Sequence, residues 1–102
     1  MYFSLTSNKM NSRKSQHKII AIHLFVEDDC PSCKQVEYDL KQYCKQRPFL
    51  ELNVLDLADG HQTPNGKKVY ITPSLWVNGS LWSYGALNLE RFDLRLQRLL
   101  AD

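Results

Sequence analysis

Apolar residues along the chain fall into separate runs, each with a period that identifies its element. Ile19–Val26 is apolar on both alternating faces except at His23, the pattern of a central strand covered from both sides. From Cys33 onward the period changes to that of a helix: Cys33, Val36, Leu40, Tyr43 and Cys44 form one buried stripe, and the segment runs to about Gln46. Arg47-Pro48 ends it, because proline cannot continue a helix and disfavours the α conformation just before it. Phe49–Leu57 alternates and then turns apolar, giving a second strand. Ala58–Lys68 carries Gly60, Pro64 and Asn65-Gly66 and is expected to be a loop with one irregular helical turn. Ser74–Val77 and Leu81–Tyr84 flank Asn78-Gly79, a strong hairpin signal, and would place Trp76 and Trp82 near-opposite across the turn. Asn88 is suited to cap a last helix with Leu89, Phe92, Leu96, Leu99 and Leu100 on one face. The order β-α-β-loop-β-β-α implies an α/β domain with a central four-stranded mixed sheet flanked by helices.

Composition narrows the function classes. A chain of 102 residues has room for one core, and 43% hydrophobic with 24% charged residues describes a folded soluble chain rather than a disordered one. No run of eighteen apolar residues occurs, so no membrane-spanning helix is expected. A net charge of +2 is too small to suggest nucleic acid as the main partner. That charge is also unevenly placed. Lys9, Arg13, Lys14 and Lys18 give residues 1–18 a charge of +4 with no acid, whereas nine Lys and Arg against eleven Asp and Glu leave residues 19–102 at −2. Residues 1–18 are therefore expected to be a flexible basic tail ahead of a single domain at 19–102, with Met10 an alternative start. The tail lacks the apolar stretch of a secretory signal, so the expected compartment is the cytoplasm. Three cysteines are too few for a disulfide-stapled secreted scaffold, and a close pair in a reducing compartment points to redox or metal chemistry.

That pair is Cys30-Pro31-Ser32-Cys33. Cys30 falls where the first strand gives way to the helix, near the N-cap, and Pro31 takes the first helical position, where its fixed φ costs nothing. The amides of Ser32 and Cys33 lack helical partners there and are expected to point at the Cys30 sulfur. Those hydrogen bonds and the positive helix end favour thiolate over thiol. Cys33, one turn on and facing inward, would remain protonated and resolve a mixed disulfide formed by Cys30. Structural zinc usually takes four ligands. The remaining candidates, Cys44, His23, His61 and His17, do not repeat the spacing of a second metal-binding knuckle, so no metal is expected.

The combination resembles the thioredoxin superfamily over about Ile19 to Ala101. Besides the cysteine pair, Ile71-Thr72-Pro73-Ser74-Leu75 looks like the family's proline segment, Asn78-Gly79 matches its hairpin turn, and Tyr84-Gly85-Ala86-Leu87 with the leucine-rich helix is close to the family's C-terminal end. The resemblance implies a thioredoxin-like fold and a cis Thr72–Pro73 bond beside the cysteines. It also implies substrate binding by the backbone of Thr72, in the manner of an added strand. Cys30 and Cys33 would be the catalytic residues, with Pro31, Ser32, Thr72 and Pro73 in contact with substrate. From the residues alone, a trans proline opening an edge strand remains the alternative.

Departures from the family pattern refine the expectation. Asp29-Cys30-Pro31-Ser32-Cys33 stands where thioredoxins usually have Trp-Cys-Gly-Pro-Cys, and Cys-Pro-x-Cys is more typical of glutaredoxins. The glutathione-binding signature of glutaredoxins after the proline is missing. Leu24 occupies the position of the acid that thioredoxins bury six residues before the first cysteine, which leaves proton transfer to Cys33 to His23 or a water. Glu27, Asp28 and Asp29 precede Cys30; each close exposed charge would oppose its thiolate by ~1 kcal/mol. Asp28 and Asp29 are therefore expected to modulate the pair toward a better reductant and to discourage anionic glutathione. Cys44 is expected to be a small core residue, and His23 a hydrogen-bonded core histidine.

The expected activity is thiol–disulfide exchange: a monomeric enzyme that reduces protein disulfides through its own dithiol. It would need no bound cofactor, and its electrons would come from a thioredoxin-reductase-like flavoenzyme. A glutathione-dependent reductase and a non-catalytic protein-binding module on the same scaffold are the alternatives.

Overall fold

The computed structural model describes residues 19–60, 63, 66, 68, 69 and 71–101. The tail at 1–18, with Met10 and His17, therefore lies outside the described residues, as do His61 and Asn65. The elements follow in the order β1 (Ile20–Val26), α1 (Pro31–Lys45), β2 (Leu50–Asp56), a 3-10 turn (Leu57–Asp59), β3 (Ser74–Val77), β4 (Ser80–Tyr84) and α2 (Leu89–Ala101). The four strands form one mixed sheet in the order β2-β1-β3-β4. β1 runs parallel to β2 and antiparallel to β3, and β3 runs antiparallel to β4. A helix joins the parallel pair and a two-residue turn joins the antiparallel hairpin, as each geometry requires. No helix among the described residues is long and apolar enough to cross a membrane.

The two faces of β1 are covered differently. Ile20, Ile22 and Leu24 join Leu50, Leu75 and Val77 under Val36 and Leu40 of α1 and Phe92 and Leu96 of α2, so both helices pack on the same face. Tyr43 of α1 locks them together. Its ring meets Phe92 edge-on at 5.3 Å, and its hydroxyl donates to Asp93 Oδ1. Truncating the fully buried Leu40 to alanine would cost about 2–5 kcal/mol. The opposite face carries His23, Phe25, Ser74 and Trp76, with His23 paired to Trp76 and Phe25 to Ser74. Phe25 and Ser74 are completely buried there, yet neither helix supplies the cover. Burial on both sides of β1 is thus as its sequence suggests; among the described residues, both helices lie on one of those sides.

Three further features differ from expectation. The ladder between β3 and β4 slips between Leu75 and Trp76, so Trp76 faces Leu81 rather than Trp82. Trp76 turns to the His23 face, where its indole N–H donates to Ser74 Oγ at 2.7 Å. Trp82 turns to the helix face and packs on Phe92, ring centres 5.6 Å apart. His23 is half-buried, but its Nδ1 has no hydrogen-bond partner among the described residues. Leu99 and Leu100 continue the α2 stripe yet stand in solvent, Leu100 being 50% exposed. Thirteen residues of helix span ~20 Å, more than the ~14–17 Å of the short β3–β4 hairpin, so the last turn overhangs.

The hairpin turn is anchored to the first strand. Asn78 is in the left-handed region (φ 48°), which asparagine tolerates better than other non-glycine residues. Its Oδ1 accepts from the Ala21 amide at 3.0 Å, and its own amide donates to the Ala21 carbonyl at 2.8 Å.

Candidate active site

Cys30 and Cys33 are joined as a disulfide, with their Cα atoms 5.2 Å apart. Cys30 is the N-cap of α1: its backbone is extended, Pro31 opens the first turn, and the Cys33 amide donates to the Cys30 sulfur at 3.2 Å. This is the side-chain capping bond that serine, aspartate or asparagine usually makes at a helix start, here made to sulfur. Ser32 contributes differently from expectation. Its hydroxyl, rather than its backbone amide, stands 3.6 Å from the Cys30 sulfur.

The two sulfurs have unequal access to water. Cys30 is half-buried beside the exposed Pro31 and Ser32, whereas Cys33 is 2% exposed and begins the buried stripe that continues to Val36 and Leu40. An external thiol or disulfide therefore reaches Cys30 first. No carboxylate occupies the first turn of α1.

Two loops meet at Glu27, just ahead of the pair in the chain. Glu27, Asp28 and Asp29 are all exposed, and Asp29 makes its turn with φ 57°. Ile71-Thr72-Pro73 leads into β3, and the Thr72–Pro73 peptide bond is cis. Pro73 is buried and its carbonyl accepts the Gly85 amide at 2.8 Å, joining this loop to the end of β4. The loops are also linked to each other, because the Thr72 hydroxyl donates to Glu27 Oε1 at 2.7 Å. No local pattern announces this contact, since forty-five positions separate the partners. Glu27 is thus a tether as well as a charge. Ile71 is 53% exposed and leaves an apolar side chain at the edge of the same loop.

The other candidates lie apart from the pair. Leu24 is fully buried in the apolar cluster under α1, so that position of β1 offers no titratable group, as its sequence implies. His23 points to the opposite face of β1, where its cross-strand partners are Trp76 and Asn53. It is therefore on the wrong side of the sheet to pass a proton to Cys33. Cys44 lies three turns down α1, half-buried against the core, and burial pushes its thiol pKa up despite the lowering effect of Arg47. Tyr43 is pushed up to about 12, first by burial and then by its hydrogen bond to Asp93. Among the described residues, no three His, Cys, Asp or Glu side chains gather where a metal ion would fit.

Comparison with known proteins agrees with this geometry. No curated protein matches the chain. Among solved structures, oxidized mitochondrial thioredoxin 3 from Saccharomyces cerevisiae superposes with a TM-score of 0.62 at 16% identity, over 79% of each chain. Thioredoxin f2 from Chlamydomonas reinhardtii superposes with a TM-score of 0.57, also at 16% identity, over 83% of each chain. At that identity the two establish the fold and nothing finer. The family model described as Thioredoxin domain matches residues 20–96, from the first residue of β1 to well into α2. With most of the sequence inside that match and the cysteine pair at the start of its first helix, the chain belongs to the thioredoxin superfamily.

Proposed function

We propose that the protein is a thiol–disulfide oxidoreductase that reduces disulfides in other proteins, with Cys30 as nucleophile and Cys33 as resolving thiol. The observation that carries this reading is the asymmetry of the pair: an accessible sulfur at an open helix end, bonded to a buried one a turn further in. In the reduced protein the Cys33 amide and Ser32 hydroxyl stabilise negative charge on Cys30, and the helix end adds to this. The Cys30 thiolate attacks one sulfur of the substrate disulfide, and the other leaves as a thiol after taking a proton. Cys33 then loses its proton and attacks Cys30, releasing the second substrate thiol and forming the Cys30–Cys33 disulfide. Two electrons pass from the dithiol to the substrate, and no bound cofactor takes part.

Thr72 and Pro73 border the substrate position, with the Thr72 backbone available to an extended segment and Pro31 and Ser32 on the other side. Asp28 and Asp29 lower the preference of Cys30 for the thiolate, which destabilises the reduced form and makes the pair the stronger reductant. Regeneration falls to a thioredoxin-reductase-like flavoenzyme. We assign the work to a monomer in the cytoplasm, with residues 19–102 as the redox domain and residues 1–18 as an appendage to it.

The Cys-Pro-x-Cys order favours one rival, a glutathione-linked cycle. Insulin-disulfide reduction, supplied in parallel with thioredoxin reductase plus NADPH and with glutathione plus glutathione reductase, separates the two. Turnover with the first system only is expected. Turnover confined to glutathione would replace the reading with the rival, and failure with both, together with a Cys30–Cys33 pair that does not cycle, would leave a binding module.

A further inference from the structure

We propose that the groove between α2 and the edge strand β4 is a second docking site, shaped for an acidic segment of a partner protein and separate from the dithiol. The groove encloses about 530 Å³. Three arginines, Arg91, Arg95 and Arg98, line it at intervals of four and three residues, a spacing that puts them on one face of a helix. Arg95 is already fixed: its guanidinium lies 4.4 Å from the Trp82 ring centre, and its Nη1 donates to the Trp82 carbonyl at 3.4 Å. Arg91 and Arg98 are exposed and form no salt bridge among the described residues, where Lys41–Glu37 on α1 is the ion pair present. The acids of α2 do not neutralise them. Asp93 is held by Tyr43 and Gln97, and Glu90 forms no such pair among the described residues.

The groove is apolar as well as cationic. Trp82 and Leu87 form part of its wall, and Leu94 stands 55% exposed between the arginines. A partner that alternates carboxylates with apolar residues satisfies both features, since arginine pairs carboxylates through two parallel hydrogen bonds. The rest of the molecule argues for a separate acidic partner. Residues 1–18 carry +4 and no acid, so the chain's own tail is repelled. Residues 19–102 carry −2, which works against a polyphosphate backbone approaching the domain broadly. In a second copy the nearest match is Glu27-Asp28-Asp29, but Glu27 is committed to Thr72. Docking here would hold a partner on the domain while its disulfide meets Cys30, raising the local concentration of that disulfide.

The test uses the full chain in its reduced form, isotope-labelled for amide NMR, titrated with a blocked ten-residue peptide alternating glutamate and leucine. Shifts confined to α2, β4 and the Trp82 indole are expected. Combined R91Q and R98Q substitution should weaken binding by about tenfold per arginine, while reduction of uncharged 2-hydroxyethyl disulfide stays unchanged. R91A/R98A serves as a second variant, with circular dichroism to confirm its fold. The proposal is overturned if the peptide does not bind, if its glutamine counterpart binds equally well, or if the variants bind undiminished. It is also overturned if a DNA duplex or phosphatidylglycerol vesicles bind the groove more tightly, or if the groove instead mediates self-association.

Discussion

The two helices of this protein begin with the same capping bond made by different atoms. At α2, Asn88 Oδ1 accepts the Arg91 amide at 3.0 Å; at α1, the Cys30 sulfur accepts the Cys33 amide at 3.2 Å. In both, the acceptor is the residue before the helix and the donor is the third residue within it. Oxygen at that position ends its work when the helix is capped. Sulfur in the same place receives the same electrostatic help, and in the proposed chemistry that help would favour its thiolate. A site of this kind therefore requires little beyond exchanging the cap atom and placing a second cysteine on the buried side of the first turn.

Swapping the caps breaks the comparison most severely. Cys30→Asn gives α1 the cap of α2; insulin-disulfide reduction should fall to background while thermal unfolding shows a helix still capped. Activity that survives this change would place the nucleophile elsewhere. Next comes Cys33→Ser, which leaves the accessible sulfur without its resolving partner. Turnover should stop, and a mixed disulfide between Cys30 and substrate should accumulate, visible on a non-reducing gel and released by dithiothreitol. At the other helix, Asn88→Ala should cost about 1 kcal/mol and lower Tm by roughly 4–8 °C without changing the rate of disulfide exchange. A large loss of activity there would show that the two caps are not separable as structure and chemistry.

Smaller effects sharpen the contrast. The Tyr43 hydroxyl, which ties α1 to α2, has its pKa raised from 10.0 to about 12. Its contribution to stability is thus complete below pH 10, where unfolded tyrosine is also protonated, and is lost as pH rises through about 12. Tyr43→Phe should lower stability at neutral pH by about 1 kcal/mol and flatten the decline between pH 10 and 12 in alkaline denaturation. Thr72→Val removes the hydroxyl bonded to Glu27 while keeping the backbone shape; kcat/KM for a protein disulfide should drop a few-fold, with little change for 2-hydroxyethyl disulfide.

Much of this was legible in the chain because local chemistry and fold agree. Pro31 at a first helical position, Arg47-Pro48 at a helix end and Asn78-Gly79 in a hairpin each act within a few residues, and the elements begin and end beside them. What escaped depends on longer range. The slip at Leu75/Trp76 puts the two tryptophans on opposite faces of the sheet, and no residue there announces it. The sharing of one face by both helices follows from packing rather than from the period of β1, which reads the same whatever covers it. At the site, the roles open to Cys30 and Cys33 follow from their spacing. The Glu27–Thr72 link joins two loops distant in sequence and becomes visible only when the sheet brings them together.

The pair of hydrogen bonds between Asn78 and Ala21 also has a mechanical consequence. A pull on the chain ahead of β1 meets, one residue into the strand, a clamp backed by ladders to β2 and β3. The load is then shared in shear along β1 rather than peeling it away bond by bond. A cargo or tag joined before Ile19 would tug on the sheet as a whole, leaving the sulfur-capped end of α1, beyond the far end of the strand, undisturbed.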